Sequence, residues 1–491
     1  MSSVTAITSK RIRVPRFRTC SALALLLGVQ FMVVLDIAIV NVALPSIQKD
    51  LGFSERNLQW IVSAYALLFG GLLLLGGRVA DLLGRRRLFI GGLIVFTVAS
   101  LASGLAWSEG ALIGARAFQG FGAALITPAA LSILTTTFTE GKERNAALGA
   151  WGAVGAFGAV AGVLLGGVLT SALSWHWIFY VNVPVGVLGL ALAPFFLTES
   201  RDAHAKSFDI PGAALVTGGL VTLVYAITQA NSYGWGSLAT IGLFGSSVAL
   251  LAAFIGWELR TAEPLMRFGI FRLRTVSGAN VAGLVMGTAM FGMFLMLTLY
   301  MQQVLHYSAM KTGVGYLAVA GTAIVWSALA AQLVTRVGVK PVLVVGMTAL
   351  SAGLLYFAQV SVDGTYLRNL LPGFLLISVG IGFSFVPISI AALAGIEPAE
   401  AGLASGLINT SQQIGGALGI AALTSIATST TNTEMASGSA LPVALTDGFQ
   451  SAFFGAAGVA TLGILVALFV VRRRDLADAI AAEPQPLLEA A

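Results

Sequence analysis

Apolar residues in this chain come in long uninterrupted runs, with little of the helical or alternating periodicity of a soluble fold. Runs of about twenty residues, the length a helix needs to cross roughly 30 Å of hydrocarbon, can be read fourteen times along the sequence. Six come first, at 19–44, 57–77, 88–107, 110–136, 146–170 and 176–197. Two follow at 210–230 and 237–257, and six more at 276–302, 312–334, 341–360, 367–391, 401–427 and 449–471. The pattern predicts an all-α polytopic membrane protein: two six-helix bundles over 19–200 and 271–472, two helices inserted between them over 201–270, and tails at 1–18 and 473–491. The Ser- and Thr-rich stretch 428–446 reads as the longest outward connection, and as a mobile one.

Composition agrees, with 57% hydrophobic residues, 10% charged and a mean hydropathy of +0.90. The basic segment from Lys10 to Arg18 precedes an apolar run that is too long for a secretory signal and lacks a small-residue cleavage pattern. It therefore reads as a retained first span.

Charge fixes the expected orientation. With an even number of spans both termini share a side. Of the 27 Lys and Arg residues, 22 fall on that side, four fall on the other (Lys49, Arg56, Lys311 and Arg368), and Arg116 lies inside a span. The positive-inside rule then predicts both termini in the cytoplasm. Richness in alanine and glycine suggests a high-GC bacterium, and so we expect a bacterial inner membrane. Topology thus accounts for the net charge of +6, and no nucleic-acid partner is called for. One cysteine, Cys20, excludes an internal disulfide, and His176, His204 and His306 are too scattered for a metal site. Neither a Gly-x-Ser-x-Gly elbow nor a Gly-x-x-x-x-Gly-Lys-Ser/Thr phosphate loop is present. We expect no cofactor, no metal and no enzyme activity.

Asp36 is the main candidate for chemistry. It lies deep in the first run, where a carboxyl costs about 2.5–3.5 kcal/mol on insertion scales, and it reads as a proton or cation site. Its helix-face neighbours Val29, Met32, Val40 and Ala43 are apolar, which opposes the charged form unless Arg116 approaches. The second half has Met290 at the aligned position, so only one deep acid is found.

A weak internal repeat links the halves. Leu51-Gly52-Phe53-Ser54 resembles Leu305-His306-Tyr307-Ser308, and thirty residues after each serine a glycine stands in a basic loop, Gly84 and Gly338. Gly120-x-Gly122 likewise resembles Gly380-x-Gly382.

The loop after the second run reads Gly77-Arg78-Val79-Ala80-Asp81-Leu82-Leu83-Gly84-Arg85-Arg86-Arg87. It resembles the signature loop of the major facilitator superfamily. The stretch Leu35-Asp36 to Leu44-Pro45 is similar to the first-span motif of its fourteen-span drug:proton antiporters. Gly114-Ala115-Arg116-Ala117-Phe118-Gln119-Gly120 resembles the motif whose buried Arg is associated with proton transfer. Gly162-Val163-Leu164-Leu165-Gly166-Gly167 resembles the antiporter motif, with Val163 in place of its proline. Asn182-Val183-Pro184 after Trp175-His176-Trp177 is similar to the family's approach to span six.

This resemblance implies a proton-coupled exporter of a hydrophobic or cationic small molecule, working as a monomer by alternating access, with a metabolite uniporter or symporter as the alternative. Asp36 and Arg116 would then couple protons, and Asp36, Asn41, Gln119, Asn409, Gln412 and Gln413 would meet substrate, although Gln412 and Gln413 could equally bond between helices. Gly77, Arg78, Asp81, Gly84, Arg85 and Arg86 would form a cytoplasmic latch. In span five, glycines recur at 149, 152, 155, 158, 162 and 166 on one stripe that either slides or simply packs closely; Gly158, Gly162 and Gly166 of the stripe and the adjacent motif residue Gly167 are the gate candidates.

Overall fold

The computed structural model describes residues 16–138, 142–200 and 209–470, apart from 262, 263, 266, 267, 395 and 397–400. Residues 1–15 of the first tail and the whole of the second, with the three arginines Arg472 to Arg474 at its start, lie outside the described residues, whereas residues 16–18 already belong to the first helix. The first six long helices are α1 (Arg16–Leu51), α2 (Trp60–Leu83), α3 (Arg85–Gly104), α4 (Glu109–Thr137), α5 (Lys142–Ala172) and α6 (Asn182–Phe196). Then come α7 (Ile210–Tyr233), α8 (Leu238–Glu258), α9 (Arg274–Leu299), α10 (Leu317–Val337), α11 (Val339–Phe357), α12 (Leu371–Leu393), α13 (Ala401–Ala436) and α14 (Leu441–Phe469). No strand occurs among the described residues. Twelve helical stretches among them are long and apolar enough to cross a membrane, while α2 and α5 supply the shorter apolar stretches Trp60–Leu73 and Ala161–Ala172.

Short polar side chains begin several of these elements, because the first N–H groups of a helix lack partners of their own. Ser108 caps α4, Asp209 caps α7 and Ser237 caps α8, each accepting from the backbone N–H three residues on. Ser54 and Ser308 cap the short helices Glu55–Leu58 and Ala309–Gly315 in the same way. These two serines are partners in the repeat, and the agreement goes further. Gly52 and His306, two residues before them, both take positive φ (71° and 52°), as do Gly84 (106°) and Gly338 (87°). The Gly-x-Gly pairs match less closely. A side chain at Gly120 would strike Tyr65 of α2 and one at Gly122 would strike Phe96 of α3, whereas Gly380 faces Leu350 of α11 and Gly382 faces Trp326 and Ser327 of α10.

Two pseudo-symmetric bundles result. In the first, α1 packs on α5 and α6, α4 on α2 and α3, and α3 on α6; in the second, α9 packs on α13 and α14, α12 on α10 and α11, and α11 on α14. Every pair recurs eight helices later. The inserted α7 and α8 pack on each other, and α7 also lies against both α2 and α13, with Leu220 and Val224 buried among Ala66, Leu67, Ala417 and Ala421. The insertion therefore touches both bundles along one seam.

The bundles meet mainly at the end where α1 finishes, which we call the distal end. There, buried residues of α1 from Leu35 to Ile47 share one core with α9 residues such as Ala289 and Met293. Towards the proximal end, Ala22 to Val33 belong to a core made only of first-bundle residues. Ile270, Val276, Ala404 and Leu407 form a small separate one.

The structure corrects one expectation. Most of the stretch 428–446 is helix, since α13 continues to Ala436 and α14 starts at Leu441. Hydroxyl side chains here find carbonyl partners without a break in the helix, Thr433 at Ser429 one turn back and Thr431 across the turn at Ala444 of α14. The turn is tight, with Gly438 at φ 93°.

Candidate functional site

Asp36 has no exposed surface and Arg116 is 1% exposed. Their side chains form an ion pair inside the first bundle, Arg116 Nη1 lying 2.6 Å from Asp36 Oδ2. The other carboxylate oxygen, Oδ1, accepts from Gln119 Nε2 at 2.7 Å and from Asn182 Nδ2 at 2.7 Å. Three donors from two helices thus converge on one carboxylate, which is how a charge survives out of water.

Arg116 is held just as fully. Its Nε donates to the carbonyl of Ile61 at 3.0 Å and its Nη1 also donates to Gln119 Oε1 at 2.8 Å. The guanidinium carbon sits 4.3 Å from the centre of the Tyr65 ring and 5.8 Å from that of Phe179, a cation–π arrangement that offsets part of its desolvation. Ser100 completes the cluster. Its Oγ accepts from Gln119 and Asn182 at 3.2 and 3.0 Å and donates to the carbonyl of Phe179 at 2.9 Å.

The substrate candidates are scattered. Gln119 belongs to this cluster, while Asn41 donates to the carbonyl of Ile37 on its own helix. On α13, Asn409 and Gln412 line a cavity of about 100 Å³ with Phe385, Ser389, Leu393 and Ile408. Gln413 is buried against Gly70 of α2, across the seam.

Of the latch residues, the side chains of Arg78 and Asp81 lie outside the described residues. Gly77 approaches Pro128, and Gly84 turns the chain at positive φ into α3. At that helix start the backbone N–H groups of Arg86 and Arg87 donate to the two carboxylate oxygens of Glu199, and that of Arg85 donates to the Ser200 carbonyl at 2.9 Å. A carboxylate placed there is favoured by the positive end of the helix dipole. The span-five gate candidates divide by task. Gly158, Gly162 and Gly166 face Phe31, Val34, Leu35, Ala38 and Ile39 of α1, within the first bundle, whereas Gly167 faces Ala309 and Met310 across the seam.

The sequence profile of the Major Facilitator Superfamily matches residues 26–420. This chain belongs to that superfamily. It is 40% identical over 484 residues to the puromycin resistance protein pur8 of Streptomyces alboniger, a match covering 97% of this chain and 96% of that one. It is 41% identical to the cephamycin export protein CmcT of Amycolatopsis lactamdurans, over 89% of each, and 37% identical to the tetracenomycin C resistance and export protein of Streptomyces glaucescens, over 82% of this chain and 74% of that one. The fold matches a crystal structure of a bacterial homologue of the human lysosomal transporter Spinster in an inward-facing, unoccupied conformation. There the TM-score is 0.66, at 16% identity over 95% of this chain and 99% of that one. A superfamily member of this kind is a multi-pass membrane transporter and not an enzyme.

Sequence reasoning gave this transporter's Asn182, Ser100 and Glu199 no site role. A signal existed for Asn182, the same rule that singled out Asp36: a polar group inside an apolar run needs a partner. Glu199 carried one too, an acid just after a span whose neighbouring loop holds three arginines. Gln302 and Gln303 were also missed. They lie in the π-helical turn Tyr300–Val304, donating to the carbonyl of Val42 at 2.9 Å and to Gln48 Oε1 at 3.1 Å, and so bridge the two bundles.

Proposed function

We propose that this transporter exports an antibiotic-like small molecule in exchange for protons, as a monomer, with Asp36 as the proton site. The observation that carries the proposal is the buried Asp36–Arg116 pair. It is supported by the puromycin, cephamycin and tetracenomycin resistance or export proteins to which the chain is similar. A carboxylate whose counter-charge is fixed, and whose remaining bonds are all to neutral donors, has two well-defined states, charged or protonated. Conversion between them changes the net charge of the first bundle's interior by one.

Because 22 of the 27 basic residues fall on the proximal side, we assign that side to the bacterial cytoplasm, with both termini there. The bundles are then closed towards the outside. Asp36, Arg116 and Gln119 lie within the first bundle, so in this conformation proton and substrate compete through movements of α1 and α4, without both touching the carboxylate. Substrate is assigned to the face of α13 that carries Asn409 and Gln412, where a small cavity remains. With a single proton per cycle, export of a monovalent cation is electroneutral and gains about 1.4 kcal/mol per pH unit. A neutral substrate would gain roughly 2.3 kcal/mol more per 100 mV.

The test uses proteoliposomes loaded with a pH-sensitive dye and challenged with puromycin or ethidium. Wild type should release protons on substrate addition, and Asp36→Asn should insert normally yet release none. Full retained transport in Asp36→Asn vesicles removes the proposal.

A further inference from the structure

The motif residue Asn182 has no task in the reading so far, and one of its polar atoms is idle. It is 1% exposed. Its Nδ2 donates to Asp36 Oδ1 at 2.7 Å and to Ser100 Oγ at 3.0 Å, while its Oδ1 is buried with no hydrogen-bond partner among the described residues.

A proton arriving at Asp36 creates a conflict. Oδ2 faces Arg116 Nη1 at 2.6 Å, and a guanidinium only donates, so the proton must sit on Oδ1. There it meets two donors, Gln119 Nε2 and Asn182 Nδ2, both at 2.7 Å. One amide has to turn its oxygen inward. Gln119 is prevented, because its Oε1 already accepts from Arg116 Nη1 at 2.8 Å and turning it would aim an NH2 group at the guanidinium. Asn182 carries no such restraint on its oxygen.

We propose that Asn182 reads the protonation state of Asp36, its side-chain amide donating to the carboxylate and rotating to accept from the carboxylic acid. This rests on the reading of Asp36 as the proton site, and it makes Asn182 a positioning residue for proton coupling. One covalent O–H bond forms, between Asp36 Oδ1 and the arriving proton; the rotation breaks no covalent bond and ends the two hydrogen bonds that Nδ2 donates. Turning the amide takes Nδ2 off Ser100, whose hydroxyl is tied to the carbonyl of Phe179 in the short helix Trp177–Tyr180 just before α6. Protonation is thereby felt at the start of α6. Among the described residues, the charged and titratable groups around the pair are Arg116 of α4 and Tyr65 of α2; α3 and α6 present Ser100 and Asn182, and α5 packs on α1 here through Gly162.

The experiment is an infrared pH titration of the full transporter, following the carboxylic C=O stretch of Asp36, identified as the band missing from Asp36→Asn. Asn182→Leu, similar in volume but neither donor nor acceptor, removes one bond to Asp36 from each state, besides the bond to Ser100 in the charged one. The charge-assisted one is the stronger, so the half-point should move to higher pH by about one unit, a tenfold gain in proton affinity. Asn182→Thr keeps a rotating hydroxyl and should move it back towards wild type. An unmoved half-point in folded Asn182→Leu, with only lower thermal stability, means a structural role and overturns the proposal. Should Asn182→Leu fail to insert, Asn182→Ala carries the same expectation and the same refutation. If no band is lost in Asp36→Asn, the proton-site reading itself falls, an outcome distinct from an Asp36 band that titrates without regard to residue 182.

Discussion

Gln302 Nε2 donates to the backbone carbonyl of Val42 at 2.9 Å, a bond between α1 and the π-helical turn that follows α9. It joins the bundles at the distal end, beside the Gln303–Gln48 contact and the bond from the Met310 N–H to Ser171 Oγ at 3.1 Å. A π turn widens the helix by one residue and lets two successive glutamines both reach α1. Any state open at this end must break these bonds. Gln302→Ala should remove about 1 kcal/mol from the closed state, shifting the population roughly fivefold towards the distal-open state. Distance distributions between spin labels on α1 and α9 would read the shift; an unchanged distribution means the bond does not hold the gate.

Gly162 and Gly167 are five residues apart and should fail in different ways. A Cβ at Gly162 would lie 2.7 Å from the carbonyl oxygen of Leu35 and 2.8 Å from Ala38 Cβ, so even Gly162→Ala forces α5 away from α1 inside one bundle. We expect it to lower thermal stability, by about 1–3 kcal/mol for such overpacking. A Cβ at Gly167 would lie 2.9 Å from the carbonyl oxygen of Ala309, on the other bundle. Gly167→Ala can relieve its clash by letting the bundles part, so it should favour the distal-open state at little cost in melting temperature. Equal loss of stability in both would show that the seam is as rigid as a bundle interior.

Glu199 accepts from the Arg86 and Arg87 N–H groups at 3.1 and 3.2 Å, and the guanidinium of Arg86 donates to the Leu197 carbonyl at 3.2 Å. The signature loop is thus tied to the end of span six. The two ion-pair distances, 3.9 and 3.8 Å, are long and the groups partly exposed, so most of the effect lies in the backbone bonds. Glu199→Ala should cost about 0.5–2 kcal/mol as a lost helix cap, and Glu199→Gln less. Thermal unfolding of the purified transporter would rank them; equal melting temperatures for wild type and Glu199→Ala would refute the capping role.

The division between what the sequence disclosed and what it hid follows from the kind of interaction. Spans were legible because hydrocarbon imposes a length and a polarity on every crossing helix, and Asp36 and Arg116 were legible because charge inside such a run is costly. Their mutual contact, between residues 80 positions apart, was raised only as a possibility, since helix-face arithmetic relates neighbours on one helix and not partners on two. Gln302 and Gln303 were invisible for a related reason: amides near the end of a run carry no desolvation signal. The extension of α13 through its hydroxyl-rich end is not legible in composition, because Ser and Thr can bond either to the carbonyl one turn back, as Thr433 does to Ser429, or across to another helix, as Thr431 does to Ala444. The packing of α7 on both bundles depends on shape complementarity among Ala, Leu and Val, which apolar composition does not encode.

The Asp36–Arg116 pair supplies the sharpest stability test. Arg116→Ala leaves a buried carboxylate with two neutral donors and no counter-charge, and Asp36→Asn leaves a buried guanidinium. Breaking a buried pair from one side typically costs 3–5 kcal/mol. Asp36 has a way out, since it can take up a proton, whereas Arg116 stays cationic at any relevant pH. Arg116→Ala should therefore be destabilised at alkaline pH and regain stability on acidification, while Asp36→Asn should show no such recovery. Asp36→Asn/Arg116→Gln, with no charge left, should melt above Arg116→Ala at alkaline pH and still transport nothing against a gradient. Melting curves across pH for the three variants check the argument, and a single pH-independent cost shared by both single variants would mean that Asp36 does not exchange its proton from within the bundle.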